Sequence, residues 1–193
     1  MMRTPAALIP WLLAIAAVIG GFLWHAGDLV GTTGAALVGG PFALTDQNGR
    51  ARTDKDFRGR FMLLYFGYSY CPDVCPTTLA EMGDALEQLG GNAKRIVPVF
   101  ITIDPARDKP AVLKTYLKSF GANFIGLTGS DKAITNVAHE YRVYFQKQAL
   151  AGGGYAMNHS STIYLMGPDG KFIAYYDESI GPDGLAKELK KRL

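Results

Sequence analysis

Phe61-Met62-Leu63-Leu64-Tyr65-Phe66-Gly67-Tyr68 is a run without a single charge, and shortly after it comes Cys71-Pro72-Asp73-Val74-Cys75, which holds both cysteines of the 193-residue chain. A continuous apolar and aromatic stretch of this length, ended by turn residues, reads as a strand covered on both faces. A helical pattern follows it, opening at Pro72 or Pro76. The cysteines therefore fall at the carboxyl end of a central strand, where open α/β sheets place their binding sites.

The spacing of the pair limits its chemistry. Two residues four apart on a helical turn share one face, with Cβ atoms about 5–6 Å apart, which suits two thiolates converging on one ion. A disulfide is also within reach, but it prefers Cβ atoms nearer about 4 Å, so a bond here is expected to be strained and easily reduced. Pro72 and Pro76 both fit a first helical position, where a missing N–H costs nothing. Free helix N–H groups then point at the sulfurs and favour the thiolate, the form that binds metal and attacks disulfides. Asp73 adds negative charge between them, and its carboxylate serves equally well as a stabiliser of the helix N-terminus.

Outward from this centre the chain alternates strand with helix. Phe42 to Thr45 reads as a strand that turns at Asp46-Gln47-Asn48-Gly49 and returns over Ala51 to Thr53. Thr78 to Leu89 carries Leu79, Met82, Leu86 and Leu89 on one helical face. Ile96 to Ile103 is a second buried-strand pattern, interrupted by Pro98 and ending in Asp104-Pro105-Ala106-Arg107-Asp108. Asp108 is placed to cap the helix that Lys109-Pro110 opens and that runs to Phe120. Phe124 to Leu127 is a further strand and Asp131 to Tyr141 a further helix, on which His139 is an ordinary helix histidine. Alternation of this kind implies a mostly parallel sheet covered on both faces.

Gln146 to Asn158, with Gly152-Gly153-Gly154, breaks the pattern and is expected to be a mobile flap. At its end stands His159, directly before the strand Ser161 to Met166. Gly167-Pro168-Asp169-Gly170 turns that strand back along Lys171 to Tyr176. A last helix starts at Pro182 and ends in Lys190-Lys191-Arg192, which suits the helix dipole.

The amino terminus points to the compartment. Ala6 to Trp24 is uncharged, and as a helix it would span roughly 28 Å, enough for a bilayer core. Arg3 before it and Asp28 after it place the amino terminus in the cytoplasm. A cleaved signal peptide needs a small residue where Trp24 stands, so an uncleaved anchor is the expectation. His25 is expected at the membrane interface. The organisation expected is an anchor over 1–26, a glycine-rich tether over 27–40 and one domain over 41–193, large enough to bury a core without disulfides. Two cysteines in an oxidising compartment then point to chemistry rather than stapling. A net charge of +3, spread along the chain, gives no basis for nucleic-acid binding.

Strand, Cys-x-x-x-Cys, helix, a later Asp-Pro-x-Arg-Asp and a distant His before Tyr-Leu-x-Gly-Pro-Asp-Gly together resemble the Sco/SenC family over nearly all of 41–193. The resemblance implies a membrane-tethered, thioredoxin-like copper chaperone of the bacterial inner membrane, with its soluble domain in the periplasm. Its implied partners are the copper-containing subunit of cytochrome c oxidase, whose binuclear copper centre it helps to assemble, and an upstream periplasmic copper donor. By the same resemblance Cys71, Cys75 and His159 match the family's three copper ligands, and Asp104 matches an acidic position near them. Tyr70 stands where many relatives have His or Phe, and Asn158 where many have Asp. The second departure is expected to loosen control over the histidine or weaken partner docking while leaving metal binding intact.

Residue chemistry agrees with that implication. Two thiolates and an imidazole form a soft, low-coordinate set suited to Cu(I), and Cu(II) is accommodated if water or a carboxylate completes the shell. Structural zinc normally takes four protein ligands. Asp104 and Asp73 are candidates to orient the ligands, Asp104 equally a cap of its local turn. Tyr68 and Tyr70 flank the cysteines as docking surface or as strand packing, and Arg107 and Asp108 are expected to brace their loop. The competing function is a thiol-disulfide oxidoreductase acting through Cys71 and Cys75, on the oxidase subunit's cysteines or as a redox sensor. Thioredoxin-like redox sites, however, usually separate the cysteines by two residues rather than three.

Overall fold

In the computed structural model, which describes residues 38–121 and 123–193, the Phe61 run is strand β3 (Phe61–Gly67), and every one of its residues is buried. Before it lie β1 (Ala43–Asp46) and β2 (Ala51–Thr53); after it come α1 (Val74–Gln88), β4 (Ile96–Thr102), α2 (Pro110–Leu117), β5 (Ile125–Thr128) and α3 (Asp131–Glu140). The chain then forms β6 (Phe145–Ala149), β7 (Tyr155–His159), β8 (Thr162–Met166), β9 (Phe172–Asp177) and α4 (Gly181–Lys190). Seven strands make one sheet in the order β2-β1-β5-β4-β3-β8-β9, while β6 and β7 pair only with each other.

The sheet is mixed, as expected of a thioredoxin-like fold with a mixed, mostly parallel central sheet, but its parallel pairs are confined to the centre. There β3 runs parallel to β4 and β4 to β5. The tight turns at Asp46–Gly49 and Gly167–Gly170 send β2 and β9 back antiparallel, and β8 also meets β3 antiparallel. Pro98 is tolerated inside β4 because β5 joins only at Val99, leaving Pro98 beside β3 alone. Side chains of β3 alternate between two layers. Tyr65 and Gly67 face Cys75 on α1, whereas Phe66 packs against Tyr141 and Tyr164 on the opposite side. Helices on both faces of a mixed sheet make this a thioredoxin-like α/β fold.

Three local expectations are corrected. Helix α1 begins at Val74 rather than at Pro72 or Pro76, so Cys71 lies in the loop before it and the two cysteines do not share a helical face; Pro76 sits inside its first turn, where N–H groups have no helical partner to lose. Asp108 does not cap α2, whose N-cap is Lys109, because its carboxylate turns inward to Ser69 and Thr102. Gln146 to Asn158 is no irregular flap but an antiparallel ribbon in which Phe145 pairs with His159 and Ala149 with Tyr155. Only Met157 of this ribbon is fully buried, so its strands carry no apolar alternation to read. The expected anchor, His25 and the tether as far as residue 37 lie outside the described residues; among those described, no helix is long and apolar enough to cross a membrane.

Candidate metal centre

Gly67 ends β3, and the chain folds back so that the Cys71 amide donates to the carbonyl of Tyr68 at 3.2 Å. Helix α1 then starts under Cys71, and the Cys75 amide points to Cys71 Sγ at 3.4 Å. The sequence expectation that helix-start amides face the sulfur is met, and the Asp73 amide contributes as well. The Asp73 side chain makes no capping hydrogen bond, while its backbone amide points at Cys71.

Cys75 is fully buried and Cys71 partly exposed. Room for the inner sulfur comes from a missing side chain: a Cβ on Gly67 would lie 2.9 Å from Cys75 Sγ, 3.0 Å from the Phe100 ring and 3.1 Å from that of Tyr65. A glycine inside an otherwise unbroken apolar strand is the sequence mark of such a close approach.

His159, the last residue of β7, brings Nε2 to 3.3 Å from Cys75 Sγ. Its Nδ1 lies 3.0 Å from the carbonyl oxygen of Ser160. A carbonyl only accepts, so Nδ1 donates to it and Nε2 is left turned to the sulfur side. The ring stands edge-on between Tyr65 and Tyr68, with centroids at 6.2 and 6.0 Å, which limits its rotation. One potential ligand atom each from Cys71, Cys75 and His159 lies within 4.8 Å of the other two. The three residues singled out in the sequence thus converge, although 84 positions separate Cys75 from His159.

The two sulfurs divide their protons unequally. Cys71 is pushed down to about 3, first by the hydrogen bond from Cys75 and then by His159 and the two amides, against the opposing effect of burial. Cys75 is pushed up, because it donates to Cys71 and is buried. The pair therefore rests as one thiolate and one thiol. Burial also raises the Tyr65 phenol, which keeps it a neutral wall of the site.

Asp104 and Asp108 lie one tier further out. Asp108, fully buried, accepts from the Ser69 amide at 3.0 Å, from the Ser69 hydroxyl and from Thr102 Oγ1 at 2.6 Å; it ties the cysteine loop to the end of β4. Asp104 is paired with Arg107 and accepts from the Tyr155 hydroxyl at 2.9 Å, and it is not one of the converging ligands. Asn158 is exposed and donates to Gln148 across the ribbon at 3.0 Å. Tyr68 is buried while Tyr70 is 63% exposed, so only Tyr70 offers surface. Exposed His139 stands apart from the cluster. Sequence reading did not find Tyr155 or the Ser160 carbonyl, because both act through a ribbon it did not recognise.

A model of the SCO1/SenC family matches residues 30–193. Protein SCO1, mitochondrial, of Saccharomyces cerevisiae is 42% identical over 164 residues, 81% of this chain and 56% of that protein. The solved structure of Bradyrhizobium japonicum ScoI with copper bound superposes with a TM-score of 0.75 at 45% identity, covering 81% of this chain and 99% of that one. BsSco, described as a member of the Sco family of cytochrome c oxidase assembly proteins with a disulfide switch, gives a TM-score of 0.65 at 26% identity, over 80% of this chain and 92% of that one. The chain spans about half to three-fifths of the length of the first curated relatives it matches.

Proposed function

Because the chain belongs to the SCO1/SenC family, we propose that it is a copper metallochaperone that carries Cu(I) on Cys71, Cys75 and His159 and hands it to the binuclear copper centre of cytochrome c oxidase. The observation that carries this reading is the convergence of two sulfurs and one imidazole nitrogen within 4.8 Å. That set is soft and low-coordinate, as Cu(I) requires. The protein acts from the outer face of a bacterial inner membrane, held there by the uncharged span from Ala6 to Trp24 and supplied by a periplasmic copper donor. Its partner is the copper-containing subunit of the oxidase.

Copper arrives at a site already holding one thiolate at Cys71. Binding then expels the Cys75 proton, so uptake releases protons and strengthens as pH rises. His159 presents Nε2 to the sulfurs, because Nδ1 is held to the Ser160 carbonyl. The partly exposed Cys71 is the ligand a partner reaches first, and ligand exchange begins there. Cu(II) is held when water completes the shell.

A second reading is favoured by one feature: a partly exposed, low-pKa Cys71 beside a protonated Cys75 is a nucleophile with its resolving thiol. In that role Cys71 attacks a partner disulfide, Cys75 displaces the mixed disulfide, and the partner leaves with two thiols while this pair becomes a disulfide. An anaerobic Cu(I) titration against a competing chelator separates the readings, using the reduced full chain in detergent beside His159→Ala and Cys75→Ser. One copper per chain, held more weakly by each variant, supports the chaperone site. Failure of the unsubstituted protein to hold copper, or equal affinity without His159, removes the three-ligand site and leaves disulfide exchange as the leading account.

A further inference from the structure

The ribbon carrying His159 is not hydrogen-bonded into the seven-stranded sheet, so something else must fix the height and rotation of β7. At its base the Tyr144 amide donates to Ser160 Oγ at 3.2 Å and the Ser160 amide to the Tyr144 carbonyl at 3.0 Å. Those bonds make a pivot beside His159. At the far end a second tie exists. Arg107 Nη1 donates to the Tyr155 carbonyl at 3.1 Å, and the Tyr155 hydroxyl donates to Asp104 Oδ1 at 2.9 Å. Arg107 Nε is itself paired with the other oxygen of Asp104. The guanidinium carbon lies 3.8 Å from the Tyr155 ring centroid, 4.8 Å from that of Tyr70 and 5.6 Å from that of Tyr68.

Three chain-distant segments therefore meet on one cation: the loop after β4, the cysteine loop through Tyr68 and Tyr70, and the ribbon through Tyr155. Nη2 of Arg107 is buried without a hydrogen-bond partner, which a delocalised guanidinium tolerates where aromatic faces supply the electrostatic contact. Tyr155 and His159 are four positions apart on one strand, hence on the same side of the ribbon. Whatever fixes the face of Tyr155 fixes the face of His159.

We propose that Arg107 is a positioning residue for the third ligand: its clasp on Tyr155 and Asp104 closes the ribbon over the two sulfurs, and opening the clasp withdraws His159 and frees copper for transfer. This rests on the copper-carrying reading above. Asp104 belongs to the clasp, and its influence on the site passes through Tyr155. A partner that competes for Arg107 or for the exposed Tyr70 ring next to Cys71 would thus release the ligand it is about to replace.

The test uses the reduced full chain, Arg107→Ala, Arg107→Lys, His159→Ala and the Arg107→Ala/His159→Ala double variant. Two quantities are read: the rate at which a Cu(I) chelator strips the loaded protein anaerobically, and amide hydrogen exchange over 155–159 in the copper-free protein. Loss of the clasp is expected to speed stripping by about tenfold or more, as for other groups that orient a ligand, and to speed exchange in β7 but not in β3. Lysine, which keeps the charge but loses the fork and the stacking, is not expected to rescue. In the His159→Ala background the Arg107 change should add nothing. An unchanged stripping rate in folded Arg107→Ala, or a full additive effect in the double variant, overturns the proposal. Should Arg107→Ala not fold, Tyr155→Phe removes only the bond to Asp104 and must still speed both processes. If the unsubstituted protein holds no copper, the functional reading fails, and the exchange measurement alone decides whether the clasp holds the ribbon.

Discussion

Replacing Gly67 by alanine tests how the inner sulfur is seated. Gly67 does not have a positive φ, so its backbone accepts alanine and the effect of the substitution is steric. The new methyl would lie 2.9 Å from Cys75 Sγ, whereas unstrained heavy-atom contacts begin near 3.5 Å. The sulfur must withdraw by roughly 0.6 Å, because the Phe100 and Tyr65 rings on the other sides are themselves at 3.0 and 3.1 Å and fully buried. A metal site tolerates ligand displacements of about 0.2 Å. Copper affinity is therefore expected to fall about 10- to 100-fold, the range seen when groups that orient a ligand are removed. Overpacking costs about 1–3 kcal/mol of stability, offset in part by the lower chain entropy of alanine, worth about 0.5–1 kcal/mol. The assays are chelator competition for affinity and denaturant unfolding of the copper-free protein for stability. A Gly67→Ala protein that unfolds cooperatively yet holds copper as tightly as the unsubstituted chain would refute this account of the seat.

Asp108→Ala strips acceptors from the Ser69 amide and the fully buried Thr102 hydroxyl; at about 1–3 kcal/mol for each group left unpaired, unfolding should become easier by about 2–6 kcal/mol, and a loss below about 1 kcal/mol would contradict the bracing role. In the reduced, copper-free protein Cys71, pushed down to about 3, should react with iodoacetamide at pH 5–6 much as it does at pH 8, while a midpoint near the ordinary thiol value would count against the resting thiolate. Because the folded value of Cys71 lies below the unfolded one, its stabilisation is present above the ordinary thiol range and fades as pH falls toward about 3; Cys75, displaced upward, acts oppositely and lowers stability as pH rises beyond that range. The reduced apo-protein should thus be most stable near the ordinary thiol pKa, which a series of melts across pH would check. Removing copper with a chelator should lower Tm, by the equivalent of about 4 kcal/mol when free copper had stood a thousandfold above its Kd, and the drop should vanish in Cys71→Ser/Cys75→Ser.

The centre of the fold and the cysteine pair were legible because each has a strong local signature. The Phe61 run is too long and too apolar to be anything but a covered strand, and the short cysteine spacing keeps the two sulfurs together although Cys71 lies just before the helix. His159 was picked out by the resemblance to the Sco/SenC family, together with the cysteine pair and its place before a recognisable strand. What could not be read depends on tertiary partners. The β6–β7 ribbon lies outside the main sheet and is exposed or half-buried at every position but Met157, so its strands lack the period that betrays a half-buried one. Asp108 looks like a cap in sequence, yet the end of β4 and the cysteine loop offer it three donors and outcompete the helix. Asp104 pairs with Arg107, three residues away, but its partner Tyr155 is far along the chain.

The pairing of Cys75 with a histidine 84 residues later also has a bearing on when the site comes into being. The two thiols are only four positions apart in the chain, whereas the third ligand requires closure of a long loop, whose entropy is recovered only when distant strands have docked. A chain still emerging during synthesis has a pair of soft donors and no imidazole to complete them. On the proposed copper-carrying function, full-strength capture is a property of the finished molecule, and a half-made chain lacks the third ligand.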